Sequence, residues 1–314
     1  MSFKLIERLK HIDKVQTSDV YIDRFIVSAI KTTTRTKIQI KFGKASKIKS
    51  LEKNKIKTLF ERTHKIIEQI TNSFSHTFAL PEIYRKLISC DDVDFEELDK
   101  ALDKLTKSSE SIEKKYNDTL YRLKKAKELD QIYPLTKAFI GFLTSRLERL
   151  NKTFIYLEQV RKVLRQLPYF KQDYITVAIA GFPNVGKSTL LKKITTADPE
   201  IQAYSFTTKG LNLGYYKNLQ FVDTPGTLNR LKMNKIEKKA DLIIRELADK
   251  IIFVVDATLA YGDKNKKLYD NIKKLGKPML IYVSMTDIVS EEKVKKLFGD
   301  DNIITDPKQL LSKL

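Results

Sequence analysis

Residues Ile175 to Thr189 read ITVAIAGFPNVGKST, an apolar strand running straight into a loop of pattern GxxxxGK(S/T). Ile175, Val177 and Ile179 alternate with Thr176, Ala178 and Ala180, the period-two pattern of a β-branched strand. Leu190, Leu191 and Ile194 then open an apolar helical face. A strand, a glycine-rich bend and a helix in that order wrap backbone N–H groups around phosphate oxygens at the positive end of the helix. Gly181 and Gly186 supply the bend, Lys187 a cation for the terminal phosphates and Ser188 a hydroxyl for Mg²⁺. Phe182, Pro183, Asn184, Val185 and Thr189 complete the cradle. The expected ligand is a nucleoside triphosphate. An ordinary glycine turn capped by Ser188 is the alternative, and the strand and helix on either side argue against it.

A second signal, Leu219 to Gly226, reads LQFVDTPG and places Asp223 thirty-six residues beyond Lys187, at the end of another apolar strand. There a carboxylate meets Mg²⁺ through a water and the Gly226 amide meets a γ-phosphate. Between the motifs, YSFTTKGLNLG (Tyr204 to Gly214) is a polar connection feeding a short strand. A switch loop needs a threonine that touches both the metal and the γ-phosphate, so that hydrolysis releases the loop. Thr208 is the expected residue and Thr207 its competitor. Lys187, Thr208 and Gly226 are thus the expected catalytic groups, with Ser188, Thr208 and Asp223 around the metal. Tyr215 to Asn218 is expected to turn a hairpin between the second and third strands.

These residues resemble a translation-factor-class GTPase of the Obg superfamily, and within it the nucleolar GTP-binding protein (NOG) family. GFPNVGKST, YSFTTKGLNLG, FVDTPGTLNR and EKKADLIIRELADKIIFVVDATLAYG (Glu237 to Gly262) all follow that family's pattern. So does YLEQVRKVLRQLP, Tyr156 to Pro168, which ordinary GTPases lack. The resemblance implies binding of GTP and GDP, Mg²⁺-dependent hydrolysis used as a switch, and assembly of the large ribosomal subunit. The implied partner is ribosomal RNA or a large-subunit precursor. In GTPases with a GxPNVGKS loop, which this one resembles, the asparagine helps bind a K⁺ ion that takes the charge-neutralising part of an arginine finger; Asn184 is expected there, or else only stabilises the turn. The length, ending at Leu314 without a long tail, looks more archaeal than eukaryotic within the family.

The pattern breaks in three places. Guanine is usually chosen by Asn-Lys-x-Asp after the next apolar strand, but PMLIYV (Pro278 to Val283) is followed by Ser284, Met285, Thr286 and Asp287. Asp287 keeps the carboxylate for the base and Met285 can still pack against it, so weakened guanine preference is expected. The final base-contact loop would fall at Ile303 to Asp306, IITD, where Thr305 is the closest match. The glutamine that orients water in Ras-like proteins is replaced by Thr227, followed by Leu228, so slow intrinsic turnover is expected. Two other readings follow from these departures: an Obg-like ATPase with relaxed base specificity, and a ribosome-binding module with a nearly inactive nucleotide site.

The first half is different in kind. Up to about Lys171 there is almost no strand pattern, and Gly43 and Gly141 are its only glycines. Phe95, Leu98, Leu102, Leu105, Ile112, Tyr116, Leu120 and Leu123 share one helical face, opened by Asp94 as N-cap with Glu97 three residues on. Ile140, Leu143, Leu147, Leu150, Phe154, Leu157, Leu164 and Leu167 form a second stripe on a helix expected to begin near Pro134. With Leu51 to Phe74 and Ser18 to Lys31 as further helical segments, the expected fold is an N-terminal helical bundle, residues 1–172. A P-loop GTPase domain, residues 173–314, follows it, with a mostly parallel sheet flanked by helices. The join is expected near Pro168 to Asp173.

Charge is concentrated in that first half. The chain carries 59 basic and 39 acidic residues, net +20, of which residues 1–172 hold +14. Lys31 to Lys65 has twelve Lys or Arg against Glu52 and Glu61, a footprint suited to an RNA phosphate backbone, although a lysine-rich solvated surface would look similar. KTTTRTKIQIKFGKASK, Lys31 to Lys47, adds hydroxyls and amides but only Phe42 as an aromatic, which favours phosphate and shape readout over base stacking. The single cysteine, Cys90, excludes a disulfide framework within the chain and suits a reducing cytoplasm. No run reaches transmembrane length, the start MSFKLIERLK is not a signal sequence, and His11, His64 and His76 lack metal spacing, so no membrane and no metal beyond Mg²⁺ and K⁺ are expected.

Overall fold

The computed structural model describes residues 2–35, 44–195, 202–203, 212–224, 234–286, 292–299 and 303–314. Thr207, Thr208, Gly226, Thr227, Leu228 and Asp287, and residues 36–43 of the basic stretch Lys31 to Lys47, lie outside them. Among the described residues the first half is helical: α1 (Ser2–Lys10), α2 (Ser18–Arg35), α3 (Lys44–Ser75), α4 (Glu82–Ser89), α5 (Phe95–Lys125), α6 (Leu129–Arg149) and α7 (Asn151–Leu164). The second half alternates: β1 (Ile175–Ala180), α8 (Lys187–Thr195), β2 (Gln202–Ala203), β3 (Asn212–Tyr216), β4 (Leu219–Asp223), α9 (Lys235–Leu242), β5 (Lys250–Asp256), α10 (Asp263–Lys273), β6 (Met279–Ser284), α11 (Glu292–Phe298), β7 (Ile303–Ile304) and α12 (Pro307–Lys313). A π-helical turn, Ile243–Leu247, extends α9.

Proximity divides the chain into two units: Met1–Leu80 with Val93–Arg165, and Pro81–Asp92 with Gln166–Leu314. This differs twice from a split at residues 172 and 173. The seam falls at Arg165, and the short segment carrying α4 belongs with the second half. Ion pairs explain the second difference: Lys239 meets Asp91 and Lys235 meets Asp92, both at 2.5 Å, and Lys86 meets Glu246 at 2.8 Å.

In the helical unit the two apolar stripes pack into the core together with Ile6, Phe25, Leu59 and Phe74 of α1, α2 and α3. Leu98, Leu102, Leu105, Ile112 and Leu123 of α5 are buried, as are Leu143 and Leu147 of α6 and Phe154, Leu157 and Leu164 of α7. Asp94 caps α5 by accepting from the Glu96 amide at 2.8 Å, one residue earlier than a bond to Glu97 would require. The second stripe runs over two helices, because the helix breaks at Leu150 and resumes at Asn151. It also begins at Leu129, not near Pro134: Glu128 and Gln131 make a capping box that starts the helix earlier, and Pro134 lies inside it. Asn151 spends its side-chain oxygen on the Ser18 amide at 3.0 Å, holding the start of α2.

In the other unit the sheet order is β2-β3-β4-β1-β5-β6-β7, with β3 antiparallel to both β2 and β4 and the remaining pairs parallel. The β3–β4 hairpin turns on Lys217 and Asn218, with Lys217 at φ 52. β1 is central and almost wholly buried, as a parallel strand covered on both faces must be. Phe221 and Phe253 lie fully buried on the strands beside it, each side chain worth about 1.5–3 kcal/mol of burial. The carboxyl ends of β1, β4, β5 and β6 therefore come together at one edge, where open α/β sheets bind ligands.

Candidate nucleotide site

At that edge β1 gives way to the phosphate loop and α8. Gly181 takes φ 150, and a Cβ there would run into the Val254 carbonyl of β5, so only glycine lets the loop leave so close to the neighbouring strand. Gly186 takes φ 89 and Asn184 φ 62, which bends the loop back to the first turn of α8. Lys187 folds over the loop and donates to the Phe182 carbonyl at 2.7 Å. Its side chain is in the position from which an ammonium reaches loop-bound phosphates, at the positive end of a helix.

Ser188 and Asp223, separated by thirty-five residues, meet directly: the serine hydroxyl donates to Asp223 Oδ2 at 2.5 Å. Asn212, opposite Asp223 in the hairpin, donates to the same oxygen at 3.3 Å. The strand end is fastened by Thr224, fully buried, whose amide and hydroxyl both donate to the Ile179 carbonyl of β1, at 3.2 and 2.8 Å. The predicted residues Lys187, Ser188 and Asp223 are therefore brought together.

Electrostatics at this point are strained by dryness. Lys187 is 7% exposed and burial pulls its pKa down, against the attraction of Asp223. Asp223 is 6% exposed and burial pushes its carboxyl up, against the Ser188 bond, the Lys187 charge and the Asn212 amide. A polyanion beside Lys187 and a hard cation beside Asp223 would each favour the charged form. Hydroxyl and carboxylate oxygens are the donors Mg²⁺ takes, usually alongside substrate phosphates, so this set fits that ion.

On the base side, Ser284 ends β6 with its hydroxyl 2.7 Å from the Val185 carbonyl. Met285 follows at φ 58 and is 38% exposed. Thr305 comes directly after β7, and Asp306 serves as the N-cap of α12 by accepting from the Lys308 amide. Three contributors were not read from the sequence. Asn212 was legible in principle from its hairpin pairing with Asp223. Thr224 lies within the run LQFVDTPG, in which only Asp223 and Gly226 carry an expected role. Tyr261, whose ring stacks on Phe182 at 4.3 Å, lies in the family-patterned stretch Glu237 to Gly262, where nothing marks it as a partner of the loop.

Comparison with known proteins bears on both halves. Residues 9–171 match the family described as NOG1 N-terminal helical domain, and residues 176–285 match the one described as 50S ribosome-binding GTPase. An uncharacterised protein of Methanocaldococcus jannaschii is 36% identical over 255 residues, 79% of this chain and 72% of its own. Nucleolar GTP-binding protein 1 of Drosophila melanogaster is 32% identical over 312 residues, and that of Eremothecium gossypii 31% over 296, each alignment taking in 90% of this chain. The chain spans about half the length of these two relatives, 46% and 45%. Among solved structures, the G domain of the T. maritima FeoB iron transporter aligns over 45% of this chain and 95% of its own at 22% identity and TM-score 0.36.

Proposed function

The chain belongs to the nucleolar GTP-binding protein 1 family, and from that premise we propose that it is a GTP-hydrolysing switch acting in assembly of the large ribosomal subunit. The observation that carries the proposal is the meeting of Ser188 with Asp223 beside Lys187, which unites the phosphate loop with the strand end that precedes DTPG. Lys187 and the loop amides hold the phosphates. Ser188, Thr208 and Asp223 hold Mg²⁺, which when bound supplies charge neutralisation between the phosphates. Thr208 and Gly226 report the γ-phosphate to their two segments, and Asp287, with Met285 against the ring, reads guanine. With Thr227 in the water-orienting position, intrinsic turnover is slow; Asn184 would hold a K⁺ ion, which would supply further charge neutralisation at the phosphates.

The basic helical half contacts ribosomal RNA in this reading. Its support is the +10 block between Lys31 and Lys65, together with the nucleolar names of the relatives and the ribosome-binding description matched by residues 176–285. Cytoplasmic placement belongs to the same reading; Cys90 is a free thiol, and among the described residues no helix is long and apolar enough to cross a membrane.

Single-turnover hydrolysis of GTP with Mg²⁺, in K⁺ or Na⁺ and with or without large ribosomal subunits, tests the proposal. Turnover stimulated by K⁺ and by subunits is expected. No turnover under any condition would leave a ribosome-binding module. Ser284 and Met285 favour a second reading, an Obg-like ATPase, and calorimetric titration with GDP and ADP decides it: tighter ADP binding discards the guanine assignment.

A further inference from the structure

The phosphate loop is fastened from outside by two hydroxyl groups. Tyr261, between β5 and α10, donates to the Pro183 carbonyl at 3.1 Å and lies nearly parallel to the Phe182 ring, 12° between planes. Ser284, at the end of β6, donates to the Val185 carbonyl at 2.7 Å. It sits so near the loop that a Cβ on Gly186 would come within 3.3 Å of its own Cβ. A third carbonyl, that of Phe182, is taken by Lys187.

Orientation of these carbonyls sets orientation of the amides. All described peptide bonds are trans, and in a trans peptide the C=O and N–H point opposite ways. Holding the Pro183 and Val185 carbonyls against Tyr261 and Ser284 therefore turns the N–H groups of Asn184 and Gly186 away from β5 and β6. Neither amide has a protein partner among the described residues. Asn184, at φ 62, is caught between the two fastened peptides, so its left-handed backbone is set by contacts from both sides.

We propose that Tyr261 and Ser284 are positioning residues for the phosphate seat, one fixing the Pro183–Asn184 peptide and the other the Val185–Gly186 peptide so that both amides face the nucleotide's phosphates. The assignment rests on the nucleotide-binding reading above and extends it to two side chains that touch no phosphate. It also gives Ser284 a task independent of base choice: the side chain at this point of β6 ties the sheet to the loop.

The test is calorimetric titration of the full chain with GDP and with inosine diphosphate, which has the same phosphates but lacks the amine a carboxylate at Asp287 would accept from. Tyr261→Phe keeps the ring and loses the hydroxyl, Ser284→Ala loses the hydroxyl, and Ser284→Thr keeps it. Each hydroxyl deletion is expected to weaken both nucleotides about threefold to tenfold, the worth of one hydrogen bond. The double variant should multiply the losses, the GDP-to-inosine-diphosphate ratio should stay put, every variant should remain folded at the titration temperature, and Ser284→Thr should bind like wild type. Unchanged affinity in both deletions overturns the assignment, as does a shift in that ratio or a loss accounted for by unfolding at the titration temperature. Wild-type protein that binds no guanine nucleotide removes the site and this assignment together; wild type that binds while every variant binds equally removes the assignment alone.

Discussion

Ser188 donates its hydroxyl to Asp223 at 2.5 Å, so the first turn of α8 and the last residue of β4 share a hydrogen bond within reach of the buried Lys187 charge. Burial opposes both charges, and the consequences for pH run in opposite directions. Asp223 holds its proton more tightly folded than unfolded, so the stability of the ligand-free protein falls as pH rises from the ordinary 3.8 through its raised value. Lys187 holds its proton less tightly folded, so stability rises as pH climbs through the window below the ordinary 10.5. Asp223→Asn should flatten the acid-side slope in calorimetric scans and weaken Mg²⁺-dependent GDP binding at least about tenfold, the loss of one charge-assisted contact. An unchanged slope would mean that Asp223 is not the titrating group.

Base choice should follow Asp287. A carboxylate accepts from both the ring N–H and the exocyclic amine of guanine, whereas an amide presents one acceptor and one donor. Asp287→Asn is therefore expected to lose GDP and gain xanthosine diphosphate, whose carbonyl replaces that amine. Competition titration of the two nucleotides reads the exchange, and equal loss of both would place the base elsewhere.

In the helical unit, Glu158 accepts from Arg161 at 2.7 and 2.8 Å and from the Val15 amide at 3.0 Å, while Arg161 is 6% exposed. Burial pushes the Glu158 carboxyl up, but the bonds from Arg161 and Val15 outweigh it and the pKa lies below the ordinary 4.5. Its contribution to stability is present above pH 4.5 and lost as pH falls through the depressed value. Glu158→Ala leaves the arginine charge buried and should cost roughly 3 kcal/mol in chemical denaturation at neutral pH, with the difference from wild type shrinking in acid.

The segment Pro81–Asp92 offers a contrast between two ion pairs. Lys239, 4% exposed in its side chain, meets Asp91, whereas Lys86 and Glu246 are 42% and 39% exposed. Asp91→Ala should destabilise by about 3 kcal/mol or more, because a desolvated ammonium loses its carboxylate. Lys86→Ala should leave the denaturation midpoint close to wild type, as solvent screens an exposed pair. Equal effects would show that burial does not govern these contacts.

Periodicity and local motif were sufficient for the strand, loop and helix from Ile175 to Thr195, for the hairpin around Lys217, and for most core positions on α5, α6 and α7, since each depends on residues within a few positions of one another; they did not mark Ile132, Phe139 or Val160, which the fold also buries. They also placed Lys187, Ser188 and Asp223 at one site, because a fixed motif order at the ends of adjacent strands leaves those side chains little choice. The early start of α6 was legible in principle, since the Glu128–Gln131 capping box spans three residues, whereas the contacts that Asn151 makes with Ser18 and Asp91 with Lys239 join residues 133 and 148 apart and were beyond local reading. Only the folded chain could bring Tyr261 onto Phe182 and Ser284 onto Val185, because hydrogen bonds between separate strand ends depend on where the sheet puts those ends, and a single side chain of common type carries no mark of that destination.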